Sequence, residues 1–163
     1  MQRRTFLSTT LASFSLAATS AYPLHAAVTA EGPFEVMRSD AEWRALLSEH
    51  AYAVLRQGDT ERAYSSPLHA EVPTGVFHCK GCDLALYGSD AKYDSGTGWP
   101  SFTRALPNAI GTMEDRSFIF QVRTECHCRR CGSHLGHILD DGPPPEGLRH
   151  CLNGLALMFR TAA

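Results

Sequence analysis

The chain has 163 residues, of which 44% are hydrophobic and 20% charged, with a formal net charge of −2. That is the size and make-up of one ordinary globular domain, and it excludes a disordered, collagenous or coiled-coil chain. Without a surplus of basic residues there is no electrostatic footprint for nucleic acid, so the placement of the six cysteines carries most of the information.

Arg3 and Arg4 precede Thr5-Phe6-Leu7, a mildly apolar run reaches about Tyr22, and Leu24-His25-Ala26 offers an approximate cleavage site. A positive start, a short apolar middle and a small-residue end are the layout of an export signal. The paired arginines before Phe6-Leu7 point to the twin-arginine route and a periplasmic destination. A basic amphipathic start or an uncleaved anchor is the alternative. Ser8, Thr9, Thr10, Ser13 and Ser15 make the middle too polar for a membrane span of about 20 apolar residues. Removing residues 1–26 takes away two arginines and no acids, leaving a net charge of −4. Residues 27–38 read as a linker and 39–163 as the domain.

Ser39-Asp40-Ala41-Glu42 spells a capping box. Trp43, Leu46, Leu47 and His50-Ala51 follow at helical spacing, which predicts one helix over about 40–50. From Gly75 onward, glycine and proline punctuate short runs of strand formers: Gly75–Cys79, Leu84–Tyr87, Phe118–Val122, Leu135–Leu139, Leu148–Asn153 and Ala156–Phe159. Many short strands with frequent turns predict a mainly β fold, a small antiparallel sandwich or barrel. Asp141-Gly142-Pro143-Pro144-Pro145 reads as a stiff surface loop.

Cys79-Lys80-Gly81-Cys82 and Cys128-Arg129-Arg130-Cys131 are two C-x-x-C knuckles separated by residues 83–127. Two knuckles supply the four thiolates of a closed, tetrahedral zinc site that ties distant strands together. Gly81 and Gly132 are expected to provide the open backbone of such turns. Disulfides, a redox pair, or iron in place of zinc compete with this reading.

Cys126 and Cys151 remain. In a strand over Leu148–Asn153, Arg149, Cys151 and Asn153 share one face. A guanidinium beside a thiol favours the nucleophilic thiolate. A packed core cysteine next to a surface arginine is the plainer alternative. Cys126 is open to three readings: a spare thiol, a fifth metal ligand, or a partner for Cys151. His134 and His137 would face opposite ways on a plain strand, but Gly136 permits a bulge that re-aims one of them. Two imidazoles meeting in one cleft suit proton transfer. Asp94–Phe102 is a glycine-rich loop carrying Trp99-Pro100, and an indole there offers a wall to an apolar or sulfur-bearing group.

Taken in order, Cys-x-x-Cys, Ser-Gly-Thr-Gly-Trp-Pro-Ser-Phe, Cys-x-x-Cys, His-Leu-Gly-His, Asp-Gly-Pro and Gly-Leu-Arg-x-Cys-x-Asn resemble methionine-R-sulfoxide reductase type B. The resemblance runs from about Ser39 to Phe159. It implies a β-tent type of fold with a structural zinc on Cys79, Cys82, Cys128 and Cys131. It implies reduction of the R epimer of methionine sulfoxide in proteins or peptides. Cys151 would be the nucleophile and become a sulfenic acid. His134, His137 and Asn153 would serve the sulfoxide oxygen, Arg149 would hold the thiolate, and Trp99 would pack on the methyl group. The expected partners are oxidised-methionine proteins or peptides and a thioredoxin-like thiol reductant, met by a monomer, with no nucleic acid and no stable membrane insertion.

The chain departs from the family pattern at three positions. Thr97 stands where many members carry a resolving cysteine, which leaves Cys126 or an external thiol to clear the sulfenic acid. His150 stands in place of a more usual tyrosine, and Gly154 in place of serine. A zinc-bound binding module or a disulfide-stapled structural protein would need none of Cys151, His134, His137 and Trp99 together.

Overall fold

The computed structural model describes residues 30, 32–118 and 121–162. The export signal expected over residues 1–26 lies outside the described residues. Within the expected linker, Glu35 pairs with Arg130 at 2.9 Å, and the Val36 N–H donates to the Arg130 carbonyl at 2.9 Å. Phe34 meets the His127 ring edge-on. These residues therefore lie against the second knuckle.

Two helices stand where the periodicity suggests one. Ser39 and Glu42 cap α1 (Asp40–Leu46) reciprocally. Leu47 then turns extended, and the Ser48 hydroxyl accepts from the Ala51 N–H to start α2 (Glu49–Gln57). A serine offers its own oxygen to the first free N–H groups, so it starts a new helix rather than continuing the old one. Gly58, in the left-handed region, ends α2. Trp43 from α1 is buried and carries the Arg56 guanidinium of α2 on its face.

Nine strands follow among the described residues: β1 (Gly75–Cys79), β2 (Ala85–Gly88), β3 (Lys92–Tyr93), β4 (Ser101–Phe102), β5 (Ile110–Phe118), β6 (Gln121–Cys128), β7 (His134–Leu139), β8 (Arg149–Leu152) and β9 (Leu157–Thr161). Five of the expected strands match these within about two residues. The sixth, Phe118–Val122, straddles two strands, because Phe118 pairs with Gln121 across the β5–β6 hairpin. The charges at Glu114, Asp115, Arg116, Arg123 and Glu125 hide those two long strands from an apolar pattern.

All pairings are antiparallel. One sheet runs β2–β1–β9 and the other β3–β4–β8–β7–β6–β5. Phe77 of β1 meets Phe102 of β4 with ring centroids 4.9 Å apart, so the core lies where the sheets face each other. Tyr87, Leu86, Leu135, Leu152 and Leu55 fill it, each fully buried. Each such side chain contributes about 1.5–3 kcal/mol by leaving water.

One irregularity shapes the larger sheet. Cys126 pairs with Gly136 and His127 with His134, so Leu135 is an extra residue on β7. This bulge gives His134 and His137 the same face, with ring centroids 5.5 Å apart. Beside it, a Cβ on Gly136 would lie 2.1 Å from the Cys151 carbonyl oxygen and 2.9 Å from the Leu152 Cα. Only a residue without a side chain lets β7 lie so close to β8. Gly136→Ala is therefore expected to lower unfolding free energy by about 1–3 kcal/mol in urea denaturation. Wild-type stability in that variant would show that the two strands part at no cost.

Candidate active site

Strand register builds the site. Tyr93 pairs with Ser101, Ser101 with Cys151, Cys151 with His137 and His137 with Glu125, in one row across five strands. Residues in one row share a face, with directly opposite Cβ atoms about 5 Å apart. Cys151 and His137 are thus neighbours by backbone pairing alone.

Trp99, Thr97, His137, Arg149, Cys151 and Asn153 line one cavity of about 260 Å³. A larger hollow of about 590 Å³ lies beyond the Thr60–Arg62 segment and holds no cysteine. Cys151 is partly buried. Burial raises its thiol above the ordinary value, against the pull of the Arg149 charge and a hydrogen bond from Thr97. Arg149 thus favours the thiolate, as its place on the strand suggested, and burial opposes it more strongly. Arg149 is committed elsewhere: its Nε and one terminal nitrogen bind both oxygens of Asp141 at 2.7 and 2.6 Å. Asp141 opposes the pull of Arg149 on Cys151, but more weakly than Arg149 exerts it.

The two histidines take different depths. His137 lines the cavity, and its Nε2 donates to Asp115 at 2.7 Å. His134 is 2% exposed and lies behind it. Its Nδ1 donates to Glu125 at 2.7 Å, while its buried Nε2 has no partner among the described residues. Burial lowers the pKa of His137, which outweighs the contrary effect of Asp115. Burial pushes the Glu125 carboxyl up, but hydrogen bonds from His127 and His134 prevail and hold it below its usual value. Asp115 likewise resists burial through bonds from Ser117, His137 and Arg123. Neither carboxylate was foreseen. Their only sequence sign is that Glu125 lies two places from His127, on the same face of a strand.

Asn153 is 3% exposed and held on both sides: its Oδ1 accepts the Glu61 N–H at 2.9 Å and its Nδ2 donates to the Leu135 carbonyl at 3.2 Å. The Trp99 indole N–H donates to the Glu61 carbonyl at 3.0 Å. Glu61 is therefore a third residue that the sequence did not announce.

Cys126 does not join this group. Its register partners Gly136 and, through it, Leu152 belong to the alternate row, so it faces the core and not the cavity. It is 0% exposed, and burial drives its thiol far above the ordinary range. A Cys126–Cys151 partnership would have to cross the sheet.

The four knuckle cysteines converge. Their sulfurs all lie within 4.8 Å of one another, with Cys79 to Cys131 at 3.7 Å and Cys82 to Cys128 at 3.5 Å. Zinc–sulfur bonds of about 2.3 Å set tetrahedral edges of about 3.8 Å, so the cluster fits one such ion. Cys126 is outside it. Both knuckles share one backbone plan. The first cysteine's carbonyl accepts an N–H four residues on, from Asp83 and Gly132, and both acceptors' partners are left-handed, with φ of 64° and 67°. The open backbone of the first knuckle is thus at Asp83 rather than at Gly81.

The SelR domain family matches residues 47–161. The chain belongs to the methionine sulfoxide reductase B family. Peptide methionine sulfoxide reductase MsrB of Thiobacillus denitrificans is 48% identical over 123 residues, 75% of this chain and 92% of that protein. The MsrB of Methanosarcina barkeri is 43% identical over 126 residues, 77% of this chain and 89% of that one. A solved Mis18 "Yippee-like" domain covers 55% of this chain at 20% identity and a TM-score of 0.45, too slight a likeness to bear on the site.

The histidines of this reductase predict a pH dependence. Burial lowers the pKa of both His137 and His150. Below about pH 6.5 the unfolded chain therefore binds more protons than the folded one. Stability is expected to fall as pH drops through that value, and to level off below the folded pKa values of the two rings. Asp115 and Glu125, held low in the fold, add a second loss in stronger acid. Urea midpoints across about pH 7.5 to 5 test this; a midpoint that does not move would refute it.

Proposed function

We propose that the protein reduces the R epimer of methionine sulfoxide, in peptides and proteins, through Cys151. The observation that carries this reading is the single cavity in which a partly buried thiol, an indole and a neutral imidazole meet. The Cys151 sulfur attacks the sulfoxide sulfur, and the sulfur–oxygen bond breaks as the oxygen passes to Cys151. Thiol and sulfoxide become sulfenic acid and thioether, with no atom left over. A sulfoxide is a poor electrophile until its oxygen gains a proton. The Cys151 thiol can supply that proton to Nδ1 of His137, the ring nitrogen not bonded to Asp115, which passes it to the oxygen as the thiolate attacks. Asp115 fixes the His137 tautomer, and Glu125 does the same for His134 behind it. Trp99 packs on the substrate's methyl group, where sulfur–aromatic contact contributes about 0.3–1.5 kcal/mol. Asn153 and Arg149 hold the walls.

The sulfenic acid then meets an external, thioredoxin-like thiol. Thr97 in place of a resolving cysteine supports that route, as does the burial of Cys126 on the other face. Two reductant thiols become a disulfide, and the oxygen leaves as water.

With R-methionine sulfoxide peptides, wild type is expected to turn over and Cys151→Ser to fall at least about 10³-fold. Mass mapping after one turnover without reductant should find the oxygen on Cys151 and no Cys126–Cys151 bridge. Inert wild type would sink the activity, an active Cys151→Ser would sink the nucleophile, and a bridge would sink the external route.

We infer that the four knuckle cysteines hold zinc, supported by their spacing and by the fit of the sulfur separations. Such an ion is structural: with four protein ligands it has no open position, and it would join the β1–β2 hairpin of one sheet to the β6–β7 hairpin of the other. Metal analysis should return one zinc per chain, with loss of thermal stability on chelation. Iron, or four oxidised thiols without metal, would overturn this.

The sequence over residues 1–26 further supports export by the twin-arginine route, which would put a folded enzyme in the periplasm. Residues 27–38 would then be a linker whose end, at Phe34–Val36, lies against the domain of residues 39–163.

A further inference from the structure

The segment between α2 and β1 has no regular α or β structure over residues 58–66, yet its Thr60 lines the cavity. Glu61 stands at its centre and is 7% exposed. Its carboxylate accepts the Gly154 N–H at 2.6 Å and the Leu155 N–H at 3.0 Å. Its own N–H reaches Asn153 Oδ1 at 2.9 Å, and its carbonyl receives the Trp99 indole N–H at 3.0 Å. Three residues on, Tyr64 donates its N–H to the Gly98 carbonyl at 2.8 Å and its hydroxyl to the Gly96 carbonyl at 2.7 Å. One strap thus holds both the tryptophan loop and the segment just after Cys151.

We propose that Glu61 is a positioning residue that sets the Trp99 indole at its working distance from Cys151. The proposal rests on the reading of this cavity as the sulfoxide site. Any residue at 61 has the N–H and carbonyl that meet Asn153 and Trp99. What keeps that backbone in place is the carboxylate, whose two oxygens grip two successive N–H groups beyond the nucleophile. A buried carboxylate is costly unless each oxygen is hydrogen-bonded, and here each one is. A glutamine would offer one oxygen and turn an N–H₂ group toward a backbone N–H. The strap would then loosen from 154–155, and the carbonyl that carries Trp99 would move with it.

The alternative is a carboxylate that caps the turn at Gly154–Ala156 and does nothing more. The two separate in a double-mutant cycle of Glu61→Gln with Trp99→Phe, since phenylalanine keeps an apolar wall but has no N–H for the Glu61 carbonyl. On an R-methionine sulfoxide peptide, Glu61→Gln is expected to raise KM about tenfold with a smaller change in kcat. In the Trp99→Phe background the same change should cost less than about twofold. Alkylation of Cys151 by iodoacetamide, which needs no indole, should stay within about twofold of wild type.

Equal losses in both backgrounds, or a fall in alkylation that matches the fall in turnover, would overturn the proposal. If Glu61→Gln fails to fold, Glu61→Asp, which keeps both oxygens but draws them back by one methylene, supplies the same cycle. If wild type is inert toward the sulfoxide, the activity reading falls by itself. Trp99 emission in a Trp43→Phe background then decides the role of Glu61: a shift on Glu61→Gln supports it, and an unchanged spectrum overturns it.

Discussion

The site depends on one backbone approach, that of β7 to β8 at Gly136. A side chain there would run into the Cys151 carbonyl, so glycine is what allows the strand bearing His137 to pair closely with the strand bearing Cys151. The pairing puts thiol and imidazole side by side without any loop being recruited to do so. The bulge at Leu135, one residue earlier, turns His134 onto the same face and still leaves Leu135 in the core. Chemistry and packing are therefore settled by the same three residues. A regular strand would have sent one histidine into the apolar layer, where an unpaired ring nitrogen is expensive.

The four-cysteine cluster solves a different problem. The two sheets meet through an aromatic core, but no strand pairing among the described residues joins one sheet to the other. Cys79 and Cys82 bracket the turn from β1 to β2, and Cys128 and Cys131 bracket that from β6 to β7. An ion held by these sulfurs, gathered within 4.8 Å, would fasten one hairpin from each sheet to the other at a single point. Because β6 and β7 also carry Glu125, His134 and His137, whatever rigidity this fastening confers reaches the catalytic face through the strands themselves.

Much of this was legible in the sequence, for reasons that differ by residue. The knuckles could be read because metal ligation needs fixed spacing, and Cys151 because alternation on a strand names its neighbours. The capping box at Ser39–Glu42 was visible for the same local reason. The break at Ser48 was not, because periodicity ran across it and a single hydroxyl decided the outcome. Strands β5 and β6 were obscured by charges whose partners are brought together only by folding: Asp115 meets Arg123 and His137 across strands. Glu125 and Glu61 were unreadable on the same ground. A buried carboxylate looks like a surface one until its donors, here two histidines in one case and two backbone amides in the other, are known. Cys126 shows the converse. Its place beside Cys128 suggested chemistry, whereas the register turns it into the core.

The state of the nucleophile follows from these placements and bears on how the reaction is timed. A thiol held as a thiolate at rest would be open to adventitious oxidants as well as to substrate. Burial raises the Cys151 thiol above its ordinary value, and the Arg149 charge, itself paired with Asp141, opposes that without prevailing. In the proposed reaction the Cys151 proton would go to the sulfoxide oxygen, relayed by His137, whose pKa burial lowers. On that proposal, activation would be coupled to the arrival of an oxygen that can accept the proton. The same desolvation that weakens the nucleophile at rest strengthens every hydrogen bond to that oxygen once the substrate has displaced water from the cavity.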